Sequence, residues 1–130
     1  MKSILWRLLN LFMAAVYFVA VYVQYNDPDP VVWMVLYAFP MILALAAAFG
    51  YLSPFALPST LAYLALAIHQ MPWGKLNEAL FVVPTWHMIS KDNEFARESV
   101  GLLICAAWMA VIGVAWWRGR AQAGGEAESR

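Results

Sequence analysis

Four apolar stretches, Ile4 to Val23, Val31 to Ala48, Pro54 to Met71 and Val100 to Trp117, dominate this chain and restrict what it can fold into. Each is close to the roughly 20 residues that cross about 30 Å of hydrocarbon at 1.5 Å rise per residue. Only 12% of the 130 residues are charged and 64% are hydrophobic, against roughly 25% charged in an ordinary soluble domain. A soluble domain of this size has no way to hide that much apolar surface. The runs are apolar on all sides, whereas the lipid-facing strands of a barrel alternate every second residue. The expectation is an all-α integral membrane protein, a four-helix bundle with spans at about 4–24, 30–49, 54–72 and 94–118 within residues 1–120. Residues 121–130, rich in Gly, Ala and Ser around Glu126 and Glu128, predict a disordered cytoplasmic tail.

Lys2 and Arg7 ahead of an apolar core resemble the start of a signal peptide. Val16, Tyr17, Phe18, Val19 and Ala20 offer no small-x-small cleavage site, so the segment is read as a retained span. Basic residues set the orientation. Lys2 and Arg7 flank the first span and Arg118 and Arg120 follow the last, while the link between spans one and two carries no Lys or Arg. With an even number of spans the positive-inside rule puts both termini in the cytoplasm, an N-in/C-in arrangement, although Lys75, Lys91 and Arg97 in the third connection pull the other way. The single cysteine, Cys105, lies inside the last stretch, which excludes an internal disulfide and a CxxC redox motif. Packing is the role this position favours.

That topology separates charge. Asp27, Asp29, Glu78, Asp92, Glu94 and Glu98 fall in the two non-cytoplasmic connections or their helix ends, and His69 and His87 join them. On span one, Asn10, Tyr17 and Gln24 recur every seventh residue with Ala14 and Val21 between them, so they share one stripe. Amides in lipid face other helices, and the stripe marks the bundle interior. It ends at QYNDPDP, residues 24–30. Pro disfavours helix at the residue before it. Asp29 with Pro30, or Asp27 with Pro28, therefore reads as an N-cap with Pro at the first helical position. Such a cap is a sufficient structural account of Asp29. The alternative is a binding site at the membrane surface.

Gly50 suits a helix C-terminus, Ser53 with Pro54 suits the next start, and Pro58, a turn later, predicts a kink in span three. The third connection, residues 72–99, is long for a compact bundle. Trp73, Leu76, Ala79, Leu80, Phe81, Val82, Val83 and Trp86 make it apolar enough to lie along the outer membrane surface, partly interfacial. SKDNEFARESVGLL, residues 90–103, begins as a polar helix, with Asp92 or Asn93 as its cap, and runs into span four. Glu94, Arg97, Glu98, Gly101, Cys105 and Trp108 share a face by i, i+3, i+4 spacing. Charges that only pair with one another would account for this segment. Glu98, however, lies near the hydrocarbon edge, where an idle carboxylate is costly.

A first span ending in a QxNDPDP turn, Gln24 to Pro30, and an ExxRExxGL approach to the last span, Glu94 to Leu102, together resemble the transmembrane protein 220 family over roughly residues 5–118. The resemblance implies a small four-helix membrane protein of a kind found in bacteria and animals, and it implies no reaction. It also singles out Gln24, Asn26, Asp27, Asp29, Glu94, Arg97, Glu98 and Gly101 as positions matching the family's motifs.

Short connections make spans one and two antiparallel neighbours, and span four packing on that hairpin would gather Asp27, Asp29, Glu94 and Glu98 around Arg97. Two readings share those residues. One is a structural clasp with Arg97 bonded bidentately by an aspartate, and it is favoured because Arg97 would repel a cation. The other is a divalent cation site of hard oxygen donors, to which His69 or His87 would admit a transition metal. Haem on His69 and His87 is disfavoured, since His87 falls outside the spans. The chain has no HExxH motif and no nucleophile beside a base, which weighs against a membrane hydrolase. No span carries an ionisable residue at its centre, which weighs against a pore through one bundle. No basic patch exists for nucleic acid. The reading that remains is a multi-pass protein of the cell membrane, the inner membrane in a bacterium. It would bind a ligand, lipid or membrane-protein partner, or a second copy of itself, on its outer acidic face.

Overall fold

A computed structural model describes residues 3–75 and 91–130, with the side chains of residues 75 and 91–94 left aside. Among the described residues it is all-helical, with four α-helices and no strand: α1 (Ile4–Val23), α2 (Pro30–Ala48), α3 (Ala56–Gln70) and α4 (Lys91–Glu128). Among the described residues three segments, Ile4–Asn26, Pro30–Ala48 and Phe95–Glu128, are long and apolar enough to cross a membrane. α3 has 15 residues, shorter than the 54–72 predicted, because Pro54 and Phe55 form a turn ahead of it and the helix stops before Pro72. The chain divides into two compact units, Met1–Leu57 with Trp108–Arg130, and Pro58–Ala107.

The first unit is built on an antiparallel pair, α1 packed on α2. Ser3 starts α1 by accepting a hydrogen bond from the Trp6 amide at 3.1 Å. Asn10, Ala14 and Tyr17 are the buried residues of α1, the stripe predicted from their spacing, and Val21 and Gln24 continue it half-buried. α2 turns Trp33, Tyr37, Pro40, Ala44 and Ala47 inward, an i, i+4, i+7 pattern that places small side chains at its C-terminal end. Gly50, at φ 93°, ends α2 as predicted. The Tyr51 amide donates to Ala46 O at 2.9 Å and the Gly50 amide to Ala47 O at 3.1 Å, the paired bonds of a Schellman motif.

At the start of α3 the Ser53 hydroxyl accepts from the Phe55 amide at 3.2 Å. Pro58 is the third residue of α3, so it falls in the first turn, where no intrahelical donor is needed. The kink predicted at Pro58 therefore has no missing bond to cause it. Leu57 lies close to Gly113 of α4, where an added Cβ would meet the Leu57 side chain at 2.6 Å. In the second unit Tyr63, Ala67, Ala96, Leu102 and Cys105 are buried. α4 continues through Glu128, beyond the point where residues 121–130 predicted disorder. Ala121, Gln122, Ala123, Glu126 and Ala127 are good helix formers, and all of the segment is exposed.

Candidate functional site

The QYNDPDP turn is held by its backbone. Gln24–Asn26 make one turn of 3₁₀ helix, the Asp27 amide donates to Gln24 O at 3.0 Å, and Asp27 is extended at φ −77°, ψ 156°, as a residue before Pro should be. Asp29 takes the N-cap position with Pro30 at the first turn, as predicted, but its side chain makes no capping hydrogen bond. Neither Asp27 nor Asp29 uses its carboxylate in a bond to any described residue. Gln24 and Asp27 are half-buried, and Asn26 and Asp29 are exposed. The turn thus gathers four of the predicted residues within seven positions.

The remaining candidates belong to the second unit. Arg97 is exposed and Glu98 half-buried. The buried face of α4 there runs through Ala96, Ser99 and Leu102, one position round from the face predicted through Arg97, Gly101 and Cys105. Cys105 is nonetheless buried and free. Ser99 is fully buried, and its Oγ has no hydrogen-bond partner among the described residues. His69 is exposed in the last turn of α3. The Glu94 side chain and all of His87 lie outside the described residues. Among the described residues, no three His, Cys, Asp or Glu side chains form a group able to hold a metal ion.

A second constellation, which sequence reasoning missed, joins α1, α2 and α4 at the end of the first unit that carries both chain termini. Asn10 is 0% exposed; its Nδ2 donates to Trp6 O at 2.9 Å and its Oδ1 accepts from Trp108 Nε1 at 3.1 Å. The Trp6 and Trp108 rings stack with centroids 6.4 Å apart. Trp6 Nε1 donates to Ala47 O at 3.2 Å and Arg7 Nε to Ala48 O at 3.2 Å. Arg7 therefore serves a carbonyl that the Schellman bonds leave over, with its charge at the negative end of the α2 dipole. Beside this network a cavity of ≈ 590 Å³ opens between Trp6, Leu52 and one stripe of α4, from Val111 and Val114 to Arg118 and Gln122. The detectable signal was Asn10, an amide inside an apolar run. Trp108 falls on the face of the last span read from its spacing, but nothing in the sequence pairs it with Asn10, and Trp6 looks like any other lipid-facing residue.

The chain matches the family described as transmembrane family 220, helix, over residues 16–114, a span that contains both the turn and the approach to α4. It is 30% identical over 106 residues to a protein named transmembrane protein 220 from Xenopus laevis, an alignment covering 81% of this chain and 56% of that one. The chain thus spans little more than half the length of that curated relative. No solved structure matches it. A match over most of the chain, carrying both motifs and agreeing with its apolar helices, shows that the chain is a membrane protein and belongs to transmembrane family 220.

Proposed function

We propose that this chain works in the cell membrane by binding rather than by catalysis, with both termini cytoplasmic. On the opposite side Asp27 and Asp29, with Gln24, Asn26, Glu94, Arg97 and Glu98, form an acidic clasp that also receives a partner protein or ligand. One observation carries the reading: Asp29 stands at the N-cap of α2 and makes no capping bond. Helix capping therefore does not account for the carboxylate, and its companion Asp27 makes no bond to a described residue either. A half-buried carboxylate beside the hydrocarbon is costly unless it is paired, and the approach to α4 carries Arg97 as a basic residue that could pair with it.

The test is thermal unfolding of the purified full chain in detergent, after chelation and then with Ca²⁺, Mg²⁺, Mn²⁺ or Zn²⁺ added, for wild type, Asp27→Asn, Glu98→Gln and Glu126→Gln. The clasp predicts that Asp27→Asn and Glu98→Gln lower Tm while Glu126→Gln does not, with no response to ions. A rise with one ion that Asp27→Asn abolishes would replace the clasp by a divalent cation site and reopen a metal-dependent activity. Equal Tm for all three variants would sink both. Copurification of a stoichiometric partner that Asp27→Asn releases would identify the clasp as a docking site.

A further inference from the structure

We propose that the ≈ 590 Å³ cavity beside Trp6 is a binding site for one anionic phospholipid, with an acyl chain along its apolar floor and the phosphate at Arg118. Its volume lies within the roughly 300–1,000 Å³ typical of ligand sites, and its polarity is graded along a single helix. Val111, Val114 and Ala115 line the inner part, and Arg118, Gly119 and Gln122 line the outer part. From Val111 to Arg118 is two turns of α4, about 10 Å of rise. A ligand that fills the groove must be apolar over that length and anionic at its end.

Depth in the membrane agrees. Arg118 ends the apolar run directly after Trp116 and Trp117, and tryptophans mark the headgroup level. The cation stands where a lipid phosphate stands, and the apolar floor extends inward from it. Arg118 is also available. Arg7 donates to Ala48 O and Arg120 lies over the Trp116 ring at 5.3 Å, whereas Arg118 has no hydrogen bond, ion pair or ring contact among the described residues. Trp6, its Nε1 already committed to Ala47 O, presents only its ring to the groove. The site therefore asks for one charge-assisted bond at the rim and dispersion elsewhere.

Charge also decides between a lipid and a second copy of the chain. Ala115 and Gly119 have the small-x-x-x-small spacing that lets helices approach. Copies in one membrane share an orientation, so a symmetric partner would bring its own Arg118 to the same depth, placing like charges together. A phospholipid brings the opposite charge to that depth.

The test uses the full chain in a neutral detergent, with phosphatidylglycerol, phosphatidylcholine of the same acyl chains, or inorganic phosphate added. Retained lipid is counted by native mass spectrometry, and thermal stability is measured alongside. One phosphatidylglycerol per chain, retained about fivefold more tightly than phosphatidylcholine, is expected for wild type, Arg118→Lys and Arg120→Gln. Arg118→Gln should lose that preference without losing phosphatidylcholine binding, and Ala115→Phe, which fills the floor, should lose both lipids. Equal retention of the two lipids by wild type, an undiminished preference in Arg118→Gln, or stabilisation by inorganic phosphate equal to that by phosphatidylglycerol would each overturn the proposal. So would lipid-independent dimers that Ala115→Phe dissociates, which would make the groove a chain-to-chain interface.

Discussion

Asn10 sits fully buried in an apolar helix and satisfies both ends of its amide, one through its own helix at Trp6 O and one through Trp108 Nε1 across to α4. Away from water, breaking the second bond leaves an indole N–H without an acceptor, which soluble proteins price at about 1–3 kcal/mol. Interhelical bonds inside membranes average less, about 0.6 kcal/mol, because the unfolded chain in lipid also finds partners. We expect Asn10→Ala to destabilise the chain by roughly 1 kcal/mol. In a double-mutant cycle Asn10→Ala and Trp108→Phe should couple, since each removes the same bond. Additive losses in thermal unfolding would mean the bond contributes nothing and the rings alone hold the contact. The position of Asn10 was legible because an amide in a lipid-crossing run must face protein, and its recurrence with Tyr17 and Gln24 gave the face. Its partner was not legible, since Trp108 lies 98 residues away and nothing local distinguishes an indole that donates inward from one that faces lipid.

Helix ends follow local rules, and those were the parts of the fold that could be read most directly. Gly50 terminates α2 because the chain must turn left-handed there, at φ 93°, to let the Tyr51 and Gly50 amides reach Ala46 O and Ala47 O. A side chain at that φ costs about 1–2 kcal/mol, and Gly50→Ala is expected to lower stability by that amount. A loss much below it, measured by thermal unfolding in detergent, would show that the α2–α3 link relaxes into another turn. The same terminus carries Arg7 and Trp6 on the Ala48 and Ala47 carbonyls. Those bonds could not be read from the sequence, because Arg7 has an equally good account as a cytoplasmic positive charge. The turn at the other end of α2 shows the opposite limit. Asp29 and Pro30 occupy the predicted cap positions, yet position did not imply the capping bond, since the bond depends on the side-chain direction that Asp29 takes. α4 continues into residues 121–128 for a related reason: the Gly, Ala and Ser content of the tail reads as disorder, while its alanines and Gln122 favour continuation of a helix already formed.

Whole-molecule topology turns on α3. At 15 residues it is about 22 Å long, short of the roughly 30 Å hydrocarbon core, whereas α1, α2 and α4 contain segments long enough to cross. A short helix crosses when the bilayer thins or flanking residues reach the interface. Phe55 before α3 and Trp73 after it are exposed aromatics suited to that role, at 67% and 63% exposure. Four crossings put both termini on one side and the turn and Arg97 together on the other, whereas three would separate the termini and strand the acidic turn from the approach to α4. Every element of the proposed clasp therefore depends on α3 crossing. In a Cys105→Ala background, Asp92→Cys and Ser129→Cys should label from opposite sides of sealed membrane vesicles, and Ser3→Cys should behave as Ser129→Cys does. Labelling of Ser3→Cys and Ser129→Cys from opposite sides would make α3 a surface helix. The clasp would then be lost, while the phospholipid groove, built wholly from residues of the first unit, would stand or fall on its own test.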